Sequence, residues 1–153
     1  MNNSTPSWWR CEEGAAAAET GLVMGVVLLL VVGTFECGRT FWTYNTMLLA
    51  VEQAGRYAML HRNHLPQMCG AQIQAVNCPA ASNTPLANCA ASRAQEVLWN
   101  YQLRDIGVSV KEDATSVPPV ITICASYSFN FLVPQLLPNG PLDLTSRVTV
   151  PLI

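Results

Sequence analysis

From Gly21 to Phe35 the chain reads GLVMGVVLLLVVGTF, fifteen residues without a charge. Carried back to Ala15, the stretch becomes 21 residues in which Glu19 is the only charged side chain. At a rise of 1.5 Å per residue it spans about 32 Å as a helix, close to the roughly 30 Å hydrocarbon thickness of a bilayer. The spacing predicts one membrane-spanning helix. Trp8 and Trp9 precede it and Phe41, Trp42 and Tyr44 follow it, where amphipathic rings settle at the two interfaces. A cleaved secretory signal peptide fits less well. Its basic region would be Arg10 followed at once by Glu12 and Glu13, and the residues before Gly33 and Cys37 are bulky or acidic where a small residue is needed.

The rest of the chain is a small domain. Only 12% of the 153 residues are charged, and from Thr40 onward six basic side chains balance six acidic ones, so no electrostatic footprint for nucleic acid exists there. Six cysteines lie at irregular spacings, none forming the C-x-x-C pair of a zinc knuckle. Cys69, Cys78, Cys89 and Cys124 fall in the polar C-terminal part and predict two disulfides, with three pairings open. Disulfides need an oxidising compartment, which puts this part outside the cytoplasm. Arg10 and Arg39 stand on opposite sides of the apolar run, so basic residues alone leave orientation balanced. Cys37 is the cysteine expected to remain unpaired near the outer interface.

Glu19 needs an account, because a carboxylate at the centre of a membrane helix costs roughly 2.5 to 3.5 kcal/mol even on insertion scales. Were the chain cut after Gly14, the new α-amine of Ala15 would lie one turn from Glu19, a counter-charge for its own helix or a neighbour's. Ala17, Gly21 and Gly25 form a four-residue series of small side chains containing G-x-x-x-G, which lets another helix approach closely in lipid. Glu19 lies about 200° around the helix from Gly21, nearly opposite that stripe.

These residues carry a resemblance. Gly14-Ala15-Ala16-Ala17-Ala18-Glu19 followed by an apolar run, then Phe35-Glu36-Cys37-Gly38-Arg39, Tyr44-Asn45 and Ala54-Gly55-Arg56-Tyr57-Ala58, resembles the TadE-like pseudopilin family of the tight-adherence (Flp pilus) system. The resemblance implies a leader ending at Gly14, removal of that leader by a prepilin peptidase, and a glutamate at the fifth mature position that serves processing or assembly. Implied partners are that peptidase, other pilins and pseudopilins, and the inner-membrane assembly platform. The implied location is the bacterial inner membrane, with the N-terminus cytoplasmic and the head periplasmic, or the pilus itself. In this chain Glu12 and Glu13 stand where such leaders usually carry basic residues.

Phe41, Tyr44, Leu48, Val51, Gly55 and Ala58 continue the helical period, and no proline occurs before Pro66. One helix is therefore expected from about Ala15 to Leu60, its second half amphipathic. Residues 62–90 read as an irregular, proline-rich loop stapled by cysteines. Ser92 with Gln95 reads as a capping box opening a short helix, with Val97, Leu98, Tyr101 and Ile106 inward and Gly107 ending it. Val108 to Lys111, Val120 to Phe131 and Leu144 to Val150 read as strands, with Pro134, Pro138 and Pro141 in the connection before the last. The expected fold is α+β: a single membrane helix extended into a pilin-like head with a small antiparallel sheet. Its parts would be leader 1–14, membrane helix 15–36, amphipathic continuation 37–62 and head 63–153.

No catalytic constellation is present. His61 and His64 make an isolated H-x-x-H, Asp105, Glu112 and Asp113 are scattered on a turn, and neither a phosphate-binding loop nor a nucleophile elbow occurs. The sequence calls for no cofactor and no metal. Two functions are compatible with it: a processed pseudopilin-like assembly component, or a permanently anchored domain that binds an extracytoplasmic ligand.

Overall fold

The computed structural model describes residues 12–62, 69–70, 72–132 and 140–152. Trp8, Trp9, Arg10, Cys11, His64, Pro66, Pro134 and Pro138 lie outside them. The chain forms two compact units, Met1–Gly38 and Arg39–Ile153. The described elements are a long helix α1 (Glu12–Leu60), a second helix α2 (Pro85–Asn100), and strands β1 (Gly107–Asp113), β2 (Val120–Phe129) and β3 (Leu142–Pro151). The architecture is α+β, with one helix long and apolar enough to cross a membrane.

In the first unit α1 exposes every described side chain from Ala16 to Val31. Nine of them are large aliphatic residues, Leu22 to Met24 and Val26 to Val31. Covering side chains of this kind is worth about 1.5 to 3 kcal/mol each, so leaving nine in water would forfeit a sum comparable with the ~5–15 kcal/mol net stability of a whole domain. Lipid or another apolar helix must cover them. The hydroxyls of this helix turn on its backbone: Thr20 Oγ1 donates to the Ala16 carbonyl and Thr34 Oγ1 to that of Leu30, so both are satisfied within the helix.

In the second unit the apolar period of α1 selects a core face. Met47, Ala50, Val51, Ala54 and Ala58 are buried with Leu86, Ala90, Ala94 and Leu98 of α2, and with Val108, Val110, Ile121, Ile123 and Ala125 of the sheet. The inward stripe differs from the sequence expectation at its start. Phe41 and Tyr44 are exposed, while Thr43, Thr46 and Met47 point inward. The two threonines avoid a buried unpaired hydroxyl by donating to the carbonyls of Arg39 and Trp42, respectively.

Helix α2 begins earlier than its sequence suggested. Pro85 occupies the first turn, where its missing N–H is no loss, and Thr84 is the N-cap, accepting from the Ala87 N–H. Ser92 and Gln95 are mid-helix, so the apparent capping box is no helix start. The helix also ends before Gly107. Leu103 N–H bonds the Leu98 carbonyl and Gln102 N–H that of Trp99, with Gln102 at φ 62°, the paired bonds of a Schellman turn. Tyr101 is exposed rather than inward, and Ile106 is buried beyond the helix.

The three strands form one antiparallel sheet in the order β1-β2-β3. Val110 pairs with Ile123 and Ile123 with Val148, so the apolar residues of each strand share one face. Gly55 lets α1 approach that face closely, since a Cβ built there would stand 3.0 Å from Val150 Cγ2. The opposite face carries Lys111, Thr122, Arg147 and Thr149, in the alternate register.

Candidate functional site

Gly14, Ala17, Glu19, Gly21 and Gly25 all lie in the exposed first turns of α1, and Ala15 lies in the same helix. A continuous helix from Glu12 keeps Ala17, Gly21 and Gly25 on one slowly drifting stripe and sets Glu19 on the other side. No heavy atom outside the helix's own backbone lies within 4 Å of a Cβ built at Gly21 or Gly25, so the stripe is open to a second helix. The residues thus form two opposed faces, one of small side chains and one bearing a carboxylate.

The four cysteines of the head are joined in two pairs. Cys69 bonds Cys89 with Cα atoms 4.9 Å apart, and Cys78 bonds Cys124 at 5.8 Å, both inside the range a disulfide spans. Among the described residues Cys37 is the free cysteine, and it is exposed. The first bridge ties residue 69 to α2, and the second ties the segment before α2 to the middle strand.

That second bridge works with a hydrogen-bonded seam that the sequence did not disclose. Residues 72–82 run along the outer edge of β1. Val108 N–H bonds the Ile73 carbonyl, Val110 N–H bonds Gln72 Oε1 at 2.8 Å, and Glu112 N–H bonds Ser82 Oγ. In return Ser82 N–H bonds the Val110 carbonyl, and Ala75 N–H bonds the buried Ser109 Oγ at 2.8 Å. Gln72 Nε2 also donates to the Ser82 carbonyl and to Asn88 Oδ1. Three successive outward N–H groups of the edge strand are thereby occupied, which closes that edge to other chains.

The groups that might have suggested chemistry have structural partners. His61 stacks on Tyr57 with ring centroids 4.2 Å apart, and its Nδ1 lies 3.1 Å from the Tyr57 carbonyl. Glu112 accepts from Thr84 Oγ1 at 2.8 Å, joining the end of β1 to the start of α2. Asp113 accepts from both the hydroxyl and the N–H of Thr115; the hydroxyl bond first, then the backbone bond, holds its carboxyl below the usual aspartate range. Arg93 pairs with Glu96 on the exposed side of α2. Among the described residues no three histidine, cysteine or carboxylate side chains gather as a metal site.

Residues 14–56 match the family model described as TadE-like protein, a little over a quarter of the chain. No curated protein and no solved structure matches the sequence.

Proposed function

We propose that this chain, TadE-like over residues 14–56, is a pseudopilin-like minor component of a tight-adherence pilus assembly and secretion system. A prepilin peptidase removes residues 1–14, and the new N-terminus is Ala15. Residues 15–36 then cross the inner membrane, 37–62 continue the helix, and 63–153 make a periplasmic head. The observation that carries the reading is the matched segment itself: it opens at Gly14, contains Glu19 at the fifth position after the cut, and runs through the small-residue stripe into the head's core helix.

The physical case rests on Glu19. Two unit charges 4 Å apart attract by about 4 kcal/mol at an effective dielectric constant of 20. That is enough to offset the cost of the lone carboxylate, which is at most the roughly 2.5 to 3.5 kcal/mol of a charge at the centre of a membrane helix. The α-amine of Ala15, freed one helical turn away, is the nearest cation the chain itself can supply. Offered to a neighbouring subunit's Glu19, the same amine would favour helix association, with the stripe at Ala17, Gly21 and Gly25 on the other side receiving a further helix. Partners on this reading are the peptidase, other pilins and pseudopilins, and the membrane assembly platform. The two disulfides agree with a head in an oxidising compartment.

The deciding experiment is mass spectrometry of the chain recovered from membranes of cells that carry the peptidase. An N-terminus at Ala15, lost on Gly14→Leu, is expected. A functional protein that keeps residues 1–14 overturns the reading and leaves an anchored binding domain in its place.

A further inference from the structure

We infer that the head binds a basic residue of an extended peptide, in the cavity at the end of the sheet where β1 stops short of β2, with Asp105 as the counter-charge. All the groups involved belong to the unit Arg39–Ile153, so neither membrane crossing nor leader removal enters.

Strand register makes the gap. Val108, Val110 and Glu112 give their N–H groups to the 72–82 segment, so Gly107, Ser109, Lys111 and Asp113 are the β1 residues whose main chain bonds β2. Their partners are Ser126, Cys124, Thr122 and Val120. The next β2 residue in that set is Ser128, and the same register would set Asp105 opposite it. Yet β1 begins only at Gly107, while β2 runs on beside β3 through Phe129. The Ser128 N–H and carbonyl on that side therefore have no partner among the described residues. A cavity of about 340 Å³ occupies the gap, and Ile73, Val76, Asp105, Ser126 and Ser128 line it.

The lining asks for a cation. Ser126 is only 8% exposed, and its hydroxyl makes no hydrogen bond among the described residues, a deficit that a ligand in the cavity would remove. Asp105 is exposed and has no ion pair or hydrogen bond among those residues. Ser128 Oγ donates to Asp143 Oδ1 at 2.6 Å, which commits its hydrogen, leaves its oxygen as an acceptor and adds a second carboxylate beside the cavity. No lysine, arginine or histidine is among the described lining residues. A bare metal ion needs a cage of several oxygen ligands, whereas one lining carboxylate and this volume suit an organic cation. Saccharides favour a free aromatic face. The Tyr127 ring is committed, packed on the core and meeting Phe129 edge-on with centroids 6.3 Å apart. Peptide is selected by Ser128, whose open N–H and carbonyl offer the donor and acceptor that one residue of an added strand would use. The exposed Ile73 and Val76 give apolar cover to the methylene stem of a lysine or arginine.

The test uses the full chain in a detergent with neutral headgroups and a short fluorescent peptide carrying one central lysine among threonines. Fluorescence anisotropy measures its affinity. A peptide with glutamine in place of the lysine is the neutral control, and butylamine is the bare cation. Binding of the lysine peptide is expected to weaken as salt rises. It should fall about tenfold or more in Asp105→Asn, the scale of a charge-assisted hydrogen bond, and lose its salt dependence there. Ser126→Ala should weaken it several-fold with no drop in urea midpoint, because the free head gives up no bond. Absence of binding at millimolar peptide overturns the inference, as does binding that neither variant changes. Equal affinity for the glutamine peptide overturns the cation, and butylamine binding as tightly as the lysine peptide overturns the role of the main chain. A lowered midpoint in Ser126→Ala would give its hydroxyl a structural partner and overturn its part in the site.

Discussion

Gly107 abuts Ala75 so closely that a Cβ built on the glycine would stand 2.7 Å from the Ala75 Cα and 3.2 Å from the Gln74 carbonyl oxygen. Those neighbours are backbone, held in place by the seam along β1 and by the Cys78–Cys124 bridge. They cannot rotate aside as a side chain can. Gly107→Ala is therefore expected to destabilise the head by roughly 1 to 3 kcal/mol, the usual cost of overpacking, although alanine on its own disfavours a strand less than glycine does. Urea unfolding of the full chain in detergent, followed by tyrosine and tryptophan fluorescence, measures it; an unchanged midpoint would show that the seam is not rigid.

Gln72 holds the same seam from its other end. Its amide makes three bonds at once, to Val110 N–H, the Ser82 carbonyl and Asn88 Oδ1. Gln72→Ala strands an N–H of the edge strand, and a loss of about 2 kcal/mol follows from an unpaired partly buried donor plus the lost net bonds. Gln72→Glu keeps the acceptor for Val110 but loses the two donated bonds, so it should fall between. Amide hydrogen exchange at Val110 reports the effect locally: protection should drop in the alanine variant and survive in the glutamate one.

What the sequence disclosed and what it hid divide along physical lines. Long periodic signals survived: the uninterrupted apolar run and the 3.6-residue spacing through Ala58 gave a helix ending at Leu60, and alternation gave three strands within two residues of their ends. Local signals were overridden. Ser92-x-x-Gln95 has the form of a helix start, yet Leu86, Ala87, Ala90, Ala91 and Ala94 already carry the buried stripe of α2 ahead of it. Gly107 has the form of a helix stop, yet Gln102 adopts the left-handed turn and Gly107 is required by the approach of Ala75. The seam was invisible because a glutamine in a proline-rich loop has no periodicity to betray it. Cysteine pairing was invisible because it depends on where the loop lies on the sheet. At the N-terminus the proposed assembly residues, and their division over two helix faces, were legible as a pattern of types and spacings, and the structure supplies the continuous helix on which that pattern lies.

The two disulfides should differ in what they contribute. Their sequence separations are 20 and 46 residues, for which loop-closure entropy gives roughly 3 and 4 kcal/mol. Cys78→Ser with Cys124→Ser also releases the segment that covers the β1 edge, whereas Cys69→Ser with Cys89→Ser leaves the seam's hydrogen bonds in place. The larger drop in urea midpoint, accompanied by self-association, is expected for the Cys78–Cys124 double variant. Equal drops and no association would detach edge protection from that bridge.

Asp113 gives the head an acid-sensitive turn. The Thr115 hydroxyl, the Thr115 N–H and the nearby Lys111 favour its charged form, so its folded pKa lies below the unfolded one. Its contribution is present above the ordinary aspartate range and is lost as pH falls through the lowered folded value. Thr115→Val removes the largest cause while keeping the backbone bond, and the titration midpoint of the Asp113 carboxyl, followed by carbon NMR, should move up toward the ordinary value. A midpoint that stays put would assign the depression to the backbone and Lys111 instead.

Glu19 separates membrane insertion from assembly, because the two make opposite demands on it. Insertion is easier without the charge: a carboxylate costs roughly 2.5 to 3.5 kcal/mol at the centre of a membrane helix and less toward its end, where Glu19 lies in the 15–36 stretch, so Glu19→Val should reach the membrane fraction at least as fully as the parent. Assembly on the proposed reading needs the carboxylate, since it is the group that meets a freed α-amine. Site-specific cross-linking between helices of neighbouring subunits should therefore fall in Glu19→Val. Glu19→Gln decides whether charge or hydrogen bonding matters: the amide can still accept a hydrogen bond from the amine but provides no counter-ion, and a charge pair worth about 4 kcal/mol would be lost in both variants. Cross-linking that survives in glutamine but not in valine would replace the ion pair with a hydrogen bond. Cross-linking that survives in both, with normal removal of residues 1–14, would leave the carboxylate without a part in assembly and assign helix association to the Ala17, Gly21 and Gly25 face alone.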